Sequence, residues 1–318
     1  MATYLTLIEA AKLQQTPLQK GVIEIFPRVA PVLQWLPFFP INGQAYIYNL
    51  EKTLPGVAFR GVNTSYTADQ GIVNPTVERL FILGGISQYD RALVKTQGNL
   101  NNLRAIHDGM KAKAAALLYQ DTFFNGSNTT NPTEFDGLNV RIIGNQIVDA
   151  EGAVFDLACL DKAIDQIEGT PDVIFTCKEG RREISAGVRA AGQAIETVNG
   201  VFGQQLPAYA GIPIQVIGDN HLGQGTIEPF NCKYDIYVVK FGVKENVCGL
   251  QSGALDVEDL GLSGCMYETL IEWIAGLGVF HPKAASIYKN VRLGTAICED
   301  ECTTTSTSTS TSSTSSTA

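Results

Sequence analysis

Three runs decide how this chain folds: Ala45-Tyr-Ile-Tyr-Asn-Leu50, Leu54-Pro-Gly-Val-Ala-Phe-Arg-Gly-Val-Asn63 and Val77-Glu-Arg-Leu-Phe-Ile-Leu83. In the first, Tyr46, Tyr48 and Leu50 alternate with Ile47 and Asn49, the period-two pattern of a strand with two unlike faces. The third is again rich in strand formers. Between them stand Pro55-Gly56, Gly61, Asp69-Gln70-Gly71 and Asn74-Pro75, each a turn signal. The spacing predicts a long β-hairpin over residues 45–86, closed by Gly84-Gly85. Such a hairpin has little core of its own, and two strands without a third strand or a covering helix are marginal in water. Its packing is therefore expected on a neighbouring molecule.

Working outward, residues 1–44 read as an arm. Leu5, Leu7, Ile8, Ala11 and Leu13 share one side of a short helix over 4–20 that Pro17 would end. Residues 21–44 carry Pro27, Pro31, Pro37 and Pro40 among Phe26, Trp35, Phe38 and Phe39. So many prolines argue against any regular element, and so many aromatics argue for an extended path against another surface. On the other side of the hairpin, residues 87–137 hold a long helix from Asn99 to about Phe124. Leu100, Leu103, Ile106, Met110, Ala114, Leu117 and Leu118 form its apolar stripe, and Asn125-Gly126 stops it. Residues 138–265 alternate helix and strand: helices at 157–167 and 179–191, strands at 171–175, 212–217 and 234–241, an α+β module. Residues 266–297 open on a long strand, Met266 to Phe280, with Tyr267, Thr269, Ile271 and Trp273 on one face. Residues 298–318 end in Ser and Thr and are expected to be disordered.

Composition narrows the function. The chain has 318 residues, 23 Lys and Arg, 32 Asp and Glu, and a formal charge of −9. That balance argues against a protein built to grip nucleic acid, which needs clustered cations. No apolar run reaches the roughly 18–20 residues that cross a bilayer, and the N-terminus lacks the pattern of a secretory signal. The seven cysteines are scattered without a CxxC pair and read as thiols of a reducing compartment. His107, His221 and His281 stand far apart, outside any metal-ligand spacing. There is no GxSxG elbow and no Walker loop; Gly223-Gln-Gly225 lacks a third glycine. Cys298-Glu-Asp-Glu-Cys302 could in principle hold a soft metal, but it abuts the Ser/Thr tail and reads as a solvated terminus. Arg181-Arg182 reads as a solvated helix face. The residues define no catalytic site, no cofactor site and no metal site.

The order of arm, lone hairpin, long helix, α+β module and closing long strand resembles the major capsid protein of tailed bacteriophages, with the Hong Kong 97-type fold. Local sequence carries the same resemblance: Leu54 to Asn63 is similar to the E-loop, Val94-Lys-Thr-Gln-Gly-Asn99 to the entry of the spine helix, and Phe123-Phe-Asn-Gly126 with Glu134-Phe-Asp-Gly-Leu138 to its exit. Leu160-Asp161, Pro171-Asp172, Arg181-Arg182 and Gly211-Ile-Pro-Ile214 resemble the A-domain, and Thr269 to Ala284 the last P-domain strand. The resemblance implies an α+β fold with N-arm (1–44), E-loop (45–86), spine helix and P-domain start (87–137), A-domain (138–265) and P-domain strand (266–297). It implies a structural, non-enzymatic subunit that partners itself in hexamers and pentamers. It also implies scaffold, portal and decoration proteins as further partners, and double-stranded DNA enclosed without specific binding. The location implied is the virion capsid, assembled in the bacterial host cytoplasm. Assembly contacts are expected at Trp35, Phe38, Phe39, Tyr46, Tyr48, Pro55, Gly56, Phe59 and Arg60. Some relatives cross-link a hairpin Lys to a neighbour's Asn; Lys52 lies off the hairpin tip, no motif supplies its partner, and no cross-link is expected. Two other readings stand beside this one: an encapsulin-like compartment, which shares the fold, and a soluble oligomeric α/β enzyme.

Overall fold

In a computed structural model the described residues are 30–92, 100–200, 204–227 and 233–294. The helix expected at 4–20 and the Ser/Thr tail lie outside them. Two sheets organise the chain. The first centres on one long strand, β13 (Met266–Val279). One edge of β13 pairs antiparallel with β4 (Phe81–Asp90). Its other edge pairs with β12 (Asp256–Ser263) along the first half and β11 (Val247–Gln251) along the second. Trp273, Ile271 and Thr269 are buried on one face of β13, as the alternation predicts.

The expected hairpin is present but shorter. Strands β2 (Ala45–Thr53) and β3 (Ile72–Arg79) pair antiparallel with each other and, among the described residues, with no other strand. The return run does not continue as one strand. It breaks at Leu80, whose N–H donates to the Gln44 carbonyl (2.9 Å), and Phe81 onward joins the first sheet as β4. Gly84-Gly85 therefore does not close the hairpin; both glycines lie inside β4. The reason is close approach: a Cβ on Gly84 would sit 2.4 Å from the Ile271 carbonyl oxygen.

The arm's last residues also differ from expectation. Val32–Trp35 forms one helical turn, α1, with Pro31 at its N-cap, where a missing N–H costs nothing. Phe38–Pro40, β1, adds to the first sheet in parallel with Gly249–Gln251. Pro40 is tolerated there because β1 is an edge strand. Gly249 makes room for the Phe38 ring, which lies 2.4 Å from where a Cβ would stand.

The long helix, α2, spans Leu100–Asn125. Ala112, Ala116, Tyr119, Phe123 and Phe124 are buried along it. It ends at Gly126, whose N–H donates to the Thr122 carbonyl (2.9 Å), while Gly137 N–H donates back to the Gly126 carbonyl (2.8 Å). A short turn, α3 (Leu138–Arg141), follows.

The second sheet has seven strands: β5 (Ile147–Asp149), β14 (Ala285–Arg292), β10 (Lys233–Val239), β6 (Val173–Thr176), β9 (Ile212–Val216), β8 (Gln205–Tyr209) and β7 (Glu196–Asn199), in that spatial order. Helices α4 (Leu157–Asp165) and α5 (Lys178–Ala190) cover one face through Leu160, Ala163, Ile184 and Val188. Asp156 caps α4, accepting from Ala158 N–H (3.2 Å). The other face, through Val173, Phe175, Tyr237, Val239 and Ile287, packs in one core with Phe123, Phe124 and Trp273. The division at 265 is therefore not the structural one. Residues 247–263 pair in the first sheet, and β14, which falls in the same range 266–297 as the long strand, pairs in the second. Chain order misleads here because strands swap sheets across the turns at 240–246 and 280–284.

Candidate assembly surface

The hairpin has a clamped root and a free end. At the root Tyr48 donates to the Val279 carbonyl (3.0 Å) and to Glu78 Oε1 (3.2 Å). Arg141, from α3, meets Glu78 through both terminal nitrogens, Nη1 to Oε1 at 2.5 Å and Nη2 to Oε2 at 2.7 Å, and its Nε donates to the Asp136 carbonyl (2.7 Å). Glu78 is only 6% exposed, the sole buried residue of β3. Burial works against the charge on Arg141, but the Glu78 carboxylate outweighs it and the guanidinium is held above its usual range. Burial, then the Glu78 charge, pushes the Tyr48 hydroxyl up. Around this pair Tyr46 and Tyr48 meet the Phe280 ring edge-on (5.8 and 4.6 Å between centroids), and Phe39 meets Tyr46 (5.7 Å). Lys244 Nζ lies 4.4 Å from the centre of the Phe39 ring.

Past Thr53 the chain leaves the body. Residues 54–71 fold on their own hydrogen bonds: Gly56 N–H to Asp69 Oδ2 (2.7 Å), Arg60 Nη1 to the Thr64 carbonyl (2.9 Å) and Thr64 Oγ1 to the Gly61 carbonyl (2.9 Å). The Arg60 guanidinium lies 5.4 Å from the centre of the Tyr66 ring. This internal frame leaves Leu54, Val57, Phe59, Val62 and Tyr66 standing in solvent, with Ile72, Val73 and Val77 below them. Singly such residues are ordinary; a contiguous series on one projection marks a contact surface.

The residues expected to make assembly contacts thus divide. Pro55, Gly56, Phe59 and Arg60 are exposed at the hairpin end. Tyr46 and Tyr48 are half-buried at the root, inside their own subunit. The arm aromatics pack within their own subunit, Phe38 fully and the other two in part. Phe38 is core, 5.1 Å from Trp273 and 6.0 Å from Tyr119 between ring centres. Trp35 is partly buried against that core, and Phe39 packs at the root. Val57, Val62 and Tyr66 were missed. Their signal lay in the same apolar run as Phe59. Glu78 and Arg141 had no signal, because only the fold brings them together across 63 positions.

The remaining polar groups take structural places. His281 Nδ1 accepts from Lys283 N–H (3.2 Å) at the corner after β13. Arg182 pairs with Glu179 one turn away (2.6 Å). Among the described residues no cluster of three or more His, Cys, Asp or Glu could hold a metal ion, and no helix is long and apolar enough to cross a membrane.

A projecting two-stranded hairpin, a long helix under a long-stranded sheet and a second sheet with two covering helices define the Hong Kong 97-type fold. Comparison with known proteins agrees. The family model of the major capsid protein GP7 matches residues 15–161. Among solved structures, the holo-SrpI encapsulin complex from Synechococcus elongatus PCC 7942 is similar at 15% identity and a TM-score of 0.65, covering 90% of this chain and 95% of that one. A chain from Mycobacterium phage Bobi is similar at 13% identity and a TM-score of 0.58, covering 92% and 100%. The capsid of the empty GTA particle is similar at 12% identity and a TM-score of 0.58, covering 83% and 90%. No curated protein sequence matches significantly. The chain has the Hong Kong 97-type fold of these shells, and over residues 15–161 it is similar to the major capsid protein GP7 family.

Proposed function

We propose that the chain assembles into hexamers and pentamers of an icosahedral phage shell around double-stranded DNA, with the hairpin end of each subunit seated on a neighbour. The observation that carries this reading is the self-framed, exposed apolar series from Leu54 to Tyr66 on a hairpin that pairs with no other strand. Such contacts are heterologous and close into rings when the rotation permits. The net charge of −9 suits a wall that must not bind packaged phosphate tightly. Scaffold, portal and decoration proteins, and assembly in the host cytoplasm, belong to the same reading. The likeness to an encapsulin speaks to the fold alone; the GP7 match favours the phage shell.

The test is electron microscopy and sedimentation of the full chain, with Phe59→Ser beside it. Shells, tubes or rings from the wild type are expected. Phe59→Ser should keep the melting temperature of the free subunit and lose assembly. A monomer or dimer at every concentration, with and without its scaffold, would overturn the shell reading. Protein cargo in place of DNA inside native particles would favour an encapsulin-like compartment.

A further inference from the structure

Asn-Gly occurs three times in the chain, at Asn42-Gly43, Asn125-Gly126 and Asn199-Gly200. The pair carries its own chemistry. The glycine main-chain nitrogen, once its proton has passed to hydroxide, attacks the asparagine side-chain carbonyl carbon. A new C–N bond forms, the bond to the side-chain nitrogen breaks, and ammonia leaves with a proton taken from water. Water then adds to either carbonyl of the cyclic imide and opens it to aspartate or isoaspartate. Glycine permits the reaction because no Cβ hinders the approach and its backbone turns freely. Attack requires a nitrogen whose N–H is not already engaged, on a backbone free to bring it to the side chain.

The fold closes two of the three pairs. Gly126 N–H donates to the Thr122 carbonyl (2.9 Å), while Asn125 Nδ2 donates to Asp121 Oδ1 and to the Thr226 carbonyl (2.9 Å each). Gly200 N–H donates to the Gln204 carbonyl (2.7 Å). Asn42 and Gly43 are both exposed, and among the described residues neither the Asn42 side chain nor the Gly43 N–H has a hydrogen-bond partner. Gly43 has a φ of +107°, and no atom lies within 4 Å of where its Cβ would stand. The bend is held on either side but not within: Ile41 N–H donates to the Gln251 carbonyl (2.8 Å), and the Gln44 carbonyl accepts from Leu80 N–H (2.9 Å). It is the covalent passage from β1 of the first sheet into hairpin strand β2.

We propose that Asn42 is a self-modifying site, converted through the Gly43 nitrogen and water to aspartate and isoaspartate, and that the isoaspartyl chain loses assembly competence. Isoaspartate routes the main chain through the side-chain carbon and lengthens it by a methylene. Placed between two pinned residues, that extra length displaces the hairpin root from the first sheet. The effect on assembly rests on the shell reading; the conversion itself does not.

The test holds the folded full chain at mildly alkaline pH, samples it over days and digests it for mass spectrometry. The Asn42 peptide should gain the mass of an amide-to-acid conversion and resolve into aspartyl and isoaspartyl forms. Conversion at Asn125 and Asn199 should be slower by about tenfold or more, because attack there first needs local opening. In denaturant the three pairs should convert at similar rates. Asn42→Gln, whose longer side chain disfavours ring closure, should assemble as well after ageing as when fresh, while aged wild type loses assembled fraction in proportion to its isoaspartate. An unmodified Asn42, or equal rates at the three pairs in the folded chain, would overturn the site. Shells that take up isoaspartyl chain in the proportion present in the soluble pool would overturn its effect on assembly. Fresh wild type that never assembles counts instead against the shell reading. The displaced root is then read in the free subunit, where hydrogen exchange over Tyr46–Asn49 should quicken on ageing in wild type and not in Asn42→Gln; unchanged exchange would overturn it.

Discussion

Glu78 carries more than its position on an exposed hairpin strand suggests. It is buried and matched by both terminal nitrogens of Arg141. Removing one partner of a buried pair strands the other charge, a loss of about 3–5 kcal/mol, whereas deleting one neutral hydrogen bond costs about 1 kcal/mol. Arg141→Met should therefore lower unfolding stability by about 3–5 kcal/mol and Tyr48→Phe by about 1 kcal/mol in denaturant titration. Equal effects would show that the ion pair does not anchor the root. The cysteines give a second expectation. Burial pushes the Cys177 and Cys248 thiols up to about 11, while Cys265 is exposed. An unfolded thiol ionises near pH 8.5, on the order of two units lower. Between those values the unfolded chain has released protons the native chain still holds. Stability is full below the lower value and is lost as the pH climbs through the upper one. Denaturant midpoints should fall above about pH 8.5. At pH 8 a thiol reagent should label Cys265 in the folded subunit and spare Cys177 and Cys248, as mass spectrometry would show.

Elements were legible where one pattern had one physical cause. The helix at 100–125 followed from apolar periodicity and a glycine stop, although its buried face runs through Ala112, Ala116, Tyr119 and Phe123 and leaves Met110 of the expected stripe exposed; β13 followed from alternation over Tyr267–Trp273. The hairpin followed from alternation around turn residues. The same reasoning failed at Gly84-Gly85, since a glycine pair that ends a strand and one that admits a neighbouring backbone look alike in sequence. It failed for β11, β12 and β14 because pairing partners lie far along the chain, and nothing local says which sheet a strand joins. It failed for β1 because proline density was read as irregularity, although an edge strand and a helix N-terminus both accept proline. Gly126 tests an element boundary directly. A Cβ there would lie 2.4 Å from the Phe135 carbonyl oxygen and 2.5 Å from that of Thr122, both backbone atoms that cannot step aside alone. Gly126→Ala should cost about 1–3 kcal/mol of stability through overpacking, measured by thermal melting. A neutral result would mean the exit of the long helix relaxes freely.

At the scale of the whole molecule, one core decides what moves together. Phe123, Phe124 and Tyr119 of the long helix touch residues of both sheets, with Phe124 4.9 Å from Tyr237 of the second sheet and Tyr119 4.9 Å from Trp273 of the first, between ring centres. The body should therefore unfold as one cooperative unit, since the helix joins both sheets in one core, while the second sheet carries a further core under α4 and α5. The hairpin beyond its root stands outside that unit. Among the described residues its strands pair only with each other, and the apolar residues of its end stand exposed. Local opening there needs little free energy, while opening of the core strands approaches the global value. Hydrogen exchange should consequently show fast exchange over residues 54–77 in the free subunit and slow exchange over β10 and β13. After assembly the hairpin should gain protection while β10 and β13 change little, because the missing partner of its apolar end is then in place. If the hairpin exchanged equally fast in shells and in free subunits, the exposed series from Leu54 to Tyr66 would not be an assembly contact.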